Sequence, residues 1–270
     1  MIRTEKNGDV WTVIHSRFEE ARNAMDPDSA DALVAAMQDF DNDPQASVAV
    51  LWGEGGAFCA GWDLKFASTL SDRDKFQHNV VDRLAFPIGA NTAPRGPLGP
   101  TRLEISKPVI AAVEGPAVAG GMELAMWCDI RVLAQDAYFG VYCRRWGIPL
   151  LDGGSVRLPR LVGQGRAMEI ILSGRKVEAD EALRIGLCEQ IAEPGGARTA
   201  AETMAQNIAR FPQEAVRADR RSVLESYGLP VREGMRREWS DGVEAHFKEG
   251  AAGAARFDSG LGRHGDFSKI

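Results

Sequence analysis

Two short, unbroken apolar runs, residues 47–52 and 108–113, set the tightest limit on what this chain can fold into. A strand with one wet face alternates apolar and polar side chains. A run without alternation is covered on both faces, as the strands of a parallel sheet are. Residues 10–16, rich in β-branched side chains and bounded by Asn7-Gly8, read as a further strand. Between it and the first run lies a helix: Asp26 is the N-cap, Pro27 the first helical residue, and apolar side chains recur at Ala30, Leu33, Val34 and Met37. The β–α–β order predicts α/β architecture.

Residues 71–86 read as helical. Residues 87–100 hold four prolines and three glycines and read as a loop, either a tolerated surface insertion or a wall of a pocket. A short helical pattern at 122–128 follows the second apolar run, then short strands at 130–133 and 138–141. From Gly163 onward helical patterns dominate: 167–172, 179–185, 197–209, 212–227 and 231–246. The expected organisation is an α/β core over 1–195 and a helical segment over 196–270.

A chain of 270 residues buries a core large enough to need no disulfide or metal. Its net charge of −6 argues against non-specific nucleic-acid binding. Cys59, Cys128, Cys143 and Cys188 form no CxxC pair, and His15, His78, His246 and His264 have no metal-ligand spacing, so no metal site is expected. The first residues lack the apolar centre of a signal peptide, and no apolar run approaches the ~18 residues of a membrane span. The expectation is a cytoplasmic protein with no membrane partner. Phosphate-loop, dinucleotide-fingerprint, HExxH and nucleophile-elbow motifs are absent.

Each apolar run is followed by a glycine-containing segment. The first is Gly55-Gly56-Ala57-Phe58-Cys59-Ala60-Gly61-Trp62-Asp63-Leu64-Lys65; the second runs from Glu114-Gly115 to Gly120-Gly121-Met122-Glu123-Leu124-Ala125. Small residues let a backbone approach a ligand, and a strand-to-helix turn presents free N–H groups. Either segment alone is equally a structural turn. Together they resemble the enoyl-CoA hydratase/isomerase family, the crotonase superfamily. Lys107-Pro108-Val109-Ile110-Ala111-Ala112-Val113, Met126-Trp127-Cys128-Asp129, Glu20-Ala21-Arg22-Asn23-Ala24-Met25, residues 157–163 and residues 179–187 match further family patterns in order.

The resemblance implies a crotonase-like core of repeated ββα units with C-terminal helices at an oligomer interface, as a homotrimer or dimer of trimers. It implies an acyl-CoA substrate in fatty acid metabolism and no cofactor beyond the coenzyme A that the substrate carries. By resemblance, the main-chain amides of Trp62 and Gly120 form the oxyanion hole and Glu123 is an acid/base group. Coenzyme A contacts fall to Ala21, Arg22, Ala60, Asp63 and Lys65, although Lys65 could equally be a solvated charge. The chain departs from the hydratase pattern at Cys143, where a second glutamate is usual; a thiol is a poor proton donor to carbon. Asp152 is a candidate acid or, equally, the N-cap of the next helix, and Tyr142 is a further possible donor. The leading expectation is a lyase adding water to a 2,3-enoyl-CoA. An enoyl-CoA isomerase using one carboxylate, a thioester hydrolase and a non-catalytic acyl-CoA-binding protein are its rivals.

Overall fold

In the computed structural model, which describes residues 1–262, two sheets form the frame. Six strands make the larger: β1 (Ile2–Asn7), β2 (Val10–His15), β3 (Val48–Gly53), β4 (Val109–Val113), β6 (Ile130–Ala134) and β9 (Gln190–Ala192), paired in that order. β1 and β2 are antiparallel; every later pairing in this sheet is parallel. All residues of β4 and all but Trp52 of β3 are buried, as the unbroken apolar runs predict, and every residue of β2 is buried too. β1 carries no such signal in IRTEKN, because it is an edge strand whose charged side chains face water. The smaller sheet joins β5 (Pro116–Val118), β7 (Tyr138–Gly140) and β8 (Lys176–Glu178).

Helix α1 (Pro27–Asn42) starts where the sequence places it, with the Asp26 side chain accepting from Ser29 N–H, and buries Ala30, Leu33, Met37 and Phe40. The helix expected over 71–86 is less regular: an α-turn, Arg73–Phe76, passes into a wide π-turn, Gln77–Asp82. Helices α2 (Leu64–Ser68) and α3 (Gly120–Trp127) follow the two glycine-containing segments. Helix α4 (Gly154–Val162) follows Asp152.

Helix α5 (Ala197–Ala209) turns Ala197, Ala201 and Ala205 inward over β2, β3, β4 and β6. Side chains this small let the helix lie close to the sheet. Its N-terminus is closed by Glu114, whose carboxylate accepts from Gly195 N–H (3.1 Å) and Ala197 N–H (2.8 Å). Beyond it, α6 (Gln213–Ser226) and α7 (Val231–Ala245) form a hairpin that leaves Val223, Tyr227, Met235 and Trp239 exposed. Residues 263–270 of the expected C-terminal segment, including His264, lie outside the described residues.

Candidate active site

The two glycine-containing segments leave the sheet side by side. The first is gripped by Asn23, whose fully buried amide group donates to the carbonyls of Glu54 (2.8 Å) and Ala57 (2.7 Å) and accepts from Arg17 N–H (2.7 Å). The second is drawn alongside by Val118 N–H, which donates to the Cys59 carbonyl at 3.0 Å. The two run close together at Gly61, where φ is +91° and an added Cβ would stand 3.1 Å from the Gly120 nitrogen. At Gly121 an added Cβ would meet the Cys59 oxygen at 2.0 Å. Backbones pass this closely only where a side chain is missing.

Met25 N–H donates to the Gly61 carbonyl (2.7 Å), and Asp63 N–H donates to the Met25 carbonyl (2.9 Å). In extended chain, successive peptide groups point to opposite sides, so Trp62 N–H points away from Met25. Gly120 N–H opens α3, directly after Ala119, which is held at φ +54°. Neither amide has an acceptor among the described residues. Trp62 and Gly120 both line a single cavity of about 150 Å³.

Glu123 lies one turn after Gly120 and reaches the same cavity. It is 3% exposed, and its Oε1 accepts from Asp152 N–H (2.9 Å) and Gly154 N–H (2.8 Å). That leaves Oε2 without a hydrogen bond among the described residues. The fit is tight: a Cβ on Gly154 would stand 2.8 Å from Glu123 Cγ.

Asp152 is equally buried and lines the cavity too. Its Oδ1 accepts from Leu98 N–H (3.0 Å) and from the Thr101 hydroxyl. The N-cap alternative is therefore corrected: Gly153 occupies the cap of α4 and no side chain closes it, because the Asp152 carboxyl is committed elsewhere. Arg157 comes back from α4 to donate to the carbonyls of Asp152 (2.9 Å) and Thr101 (2.8 Å). Burial first, and the Asp152 charge second, push Glu123 up to about 8; the Gly154 and Asp152 amides oppose this only in part. Burial raises Asp152 to about 6, against the Thr101 hydroxyl and the Leu98 amide.

Cys143 sits in the 3-10 turn Tyr142–Trp146, 6% exposed, on the same cavity. Burial pushes its thiol up, so it is neutral near pH 7. Tyr142 also lines the cavity and is stacked under Arg145 at 3.8 Å.

Of the expected coenzyme contacts, Ala60 lines the cavity, Ala21 is half-buried and Arg22 exposed. Lys65 is exposed, with Nζ 3.4 Å from the Glu20 carbonyl. Asp63 has a structural place: its buried carboxylate pairs with Arg17 (2.8 Å) and accepts from Lys65 N–H (2.8 Å) and Phe66 N–H (3.3 Å) as the N-cap of α2. Burial opposes its charge, yet Arg17 and the two amides hold the carboxyl below the usual range. Asp63 thus fixes the Trp62 loop and does not line the cavity. Sequence reasoning gave no role to Leu98, Thr101 or Arg157; for the first two no local pattern exists, since they lie 54 and 51 positions from Asp152, whereas Arg157 is only five positions away.

The family described as enoyl-CoA hydratase/isomerase matches residues 8–86 and 100–240 of this chain. Enoyl-CoA hydratase EchA19 of Mycobacterium tuberculosis is 33% identical over 92% of this chain and 89% of its own length. The short-chain-enoyl-CoA hydratase of Clostridium acetobutylicum is 35% identical over 81% of this chain and 79% of its own. Among solved structures, enoyl-CoA hydratase EchA1 from Mycobacterium marinum superimposes with a TM-score of 0.82 at 32% identity, covering 96% of this chain and 95% of the other. The chain belongs to the enoyl-CoA hydratase/isomerase family and has the crotonase fold, with a mixed α/β core and C-terminal helices.

Proposed function

We propose that this chain is an enoyl-CoA hydratase-type lyase acting on 2,3-enoyl thioesters of coenzyme A. The observation that carries the reading is a pair of buried carboxyl groups, Glu123 and Asp152, on one cavity with two unengaged main-chain amides. In this reading the thioester oxygen lies between Trp62 N–H and Gly120 N–H. Each fixed donor is worth ~3 kcal/mol of barrier once charge develops on that oxygen.

Neighbouring buried carboxyls resist ionising together, so the pair holds one base and one acid near neutral pH. The ionised member takes a proton from water as its oxygen bonds to Cβ. The double-bond electrons move toward the thioester, whose oxygen becomes the enolate oxygen. The protonated member then gives its proton to Cα, leaving a 3-hydroxyacyl thioester and the pair with its charge exchanged. Asp152, raised less, is the ionised base near neutral pH, and Glu123 is the protonated acid, a role that Cys143, a neutral thiol, does not fill. No cofactor beyond the substrate's own coenzyme A is called for.

Cys143 at the position of the second family glutamate favours one rival, an enoyl-CoA isomerase working through Glu123 alone. Separate incubation with 2-enoyl and 3-enoyl thioesters distinguishes them. Loss of 2-enoyl absorbance with water incorporated is expected; conversion of the 3-enoyl thioester without water supports isomerisation. Glu123→Gln can still accept both amides and should fold, yet lose about 10²–10⁴ in kcat. Tight acyl-CoA binding with turnover absent in both proteins would instead mark a binding protein.

The exposed apolar side chains of α6 and α7 support self-association, as a trimer or dimer of trimers, testable by sedimentation. All four cysteines are buried free thiols, in keeping with a reducing, cytoplasmic setting, and no helix among the described residues is long and apolar enough to cross a membrane.

A further inference from the structure

One wall of the cavity comes from outside the family pattern. The family match skips residues 87–99. Within that gap Gly96 N–H donates to the Gly99 carbonyl (2.8 Å) and Gly99 N–H to the Gly96 carbonyl (3.0 Å), so Pro97 and Leu98 form the tip of a tight turn. Turn tips usually face water. This one points inward, and Leu98 is 1% exposed.

The turn is locked from several sides. Leu98 lies on Gly120 so closely that a Cβ there would stand 2.4 Å from Leu98 Cδ2. Its N–H holds Asp152 Oδ1 at 3.0 Å. Gly96 presses on the same group: an added Cβ would stand 2.0 Å from Thr101 Oγ1 and 2.4 Å from Asp152 Oδ1. Gly99 faces the Ala30 carbonyl of α1, and Arg95 pairs with Asp31 of the same helix. A leucine held this way cannot step aside for a ligand without breaking contacts to both Gly120 and Asp152. Together with Trp62, Ile148 and Leu151 it bounds a space of about 150 Å³. An apolar cavity on the order of 150 Å³ holds one benzene-sized group.

We propose that the turn 96–99 is a size filter, with Leu98 as the specificity-determining residue that admits short acyl groups and excludes long ones. This rests on the reading of the cavity as an acyl-CoA site. The test measures binding of saturated acyl-CoA thioesters of four, six, eight and ten carbons by calorimetry, and kcat/KM for the matching 2-enoyl series. It compares the unaltered protein with Leu98→Ala and Leu98→Val. One methylene in an apolar pocket discriminates by roughly tenfold or more. The expected result is a preference for four over ten carbons in the unaltered protein. The ten-to-four ratio should rise at least ~10-fold in Leu98→Ala, with Leu98→Val between. Should Leu98→Ala fail to fold, the milder Leu98→Val still reads the ratio. Equal ratios in all proteins overturn the filter. A size preference in binding without turnover of any enoyl thioester keeps the filter and removes the hydratase reading. Binding of no acyl-CoA at any length removes both.

Discussion

Replacing Asn23 with alanine tests how firmly the Trp62 loop is held. The side chain is fully buried, sits at φ +59°, and closes three hydrogen bonds to main-chain groups. Without it, Arg17 N–H and the carbonyls of Glu54 and Ala57 lose their partner. An unsatisfied buried polar group costs about 1–3 kcal/mol. Two of the three bonds are only partly buried, so the low end applies and the sum is about 3 kcal/mol. Alanine in the left-handed region adds roughly 1 kcal/mol. A loss of about 4 kcal/mol is a large part of the 5–15 kcal/mol that holds a typical domain together. Urea unfolding should show it as a lower midpoint with an unchanged slope. Asn23→Asp keeps the shape, the backbone preference and the acceptor for Arg17, but sets an oxygen against two carbonyls; it should be no more stable than Asn23→Ala. If the aspartate variant unfolds with the unaltered protein, or alanine costs less than about 1 kcal/mol, the amide group is not what fastens the loop.

Other outcomes follow from the carboxyl pair. A carboxyl raised on folding contributes stability that is whole below its unfolded pKa and is lost as pH climbs through its folded one, here about 8 for Glu123. Asp152→Asn removes the second cause of that rise, so unfolding midpoints at pH 5.5 and 8.5 should move closer together. One pKa unit corresponds to about 1.4 kcal/mol; an unchanged gap would refute the interaction. In the same variant kcat/KM should fall by about 10²–10⁴, because the pair loses its ionised member near neutral pH. Gly154→Ala places a methyl 2.8 Å from Glu123 Cγ and displaces the carboxyl from its amides; kcat should fall more than about tenfold, checked by steady-state kinetics beside a melting curve.

Much of the frame was legible because burial on both faces leaves an unmistakable pattern. β3 and β4 read directly as unbroken apolar runs, and α1 as a capped helix with an apolar stripe. β1 was not legible, since a polar edge strand is specified by its neighbour. Glu123 came from the family resemblance, and its place one turn after Gly120 is a property of one helix. The surroundings of Asp152 could not be read, because Leu98 and Thr101 meet it through long-range folding that no short window encodes. The bracing of the Trp62 loop by Asp63 was not legible either, because its partner Arg17 lies far away in the chain.

Glu114 lies in the second glycine-containing segment, yet its carboxylate grips the start of α5, some eighty positions further along. The loop that presents Gly120 and the helix that covers the sheet are therefore joined by one side chain. Loss of that carboxylate would leave the first amides of α5 without their acceptor and untie the segment that presents Gly120 from the helix over the sheet.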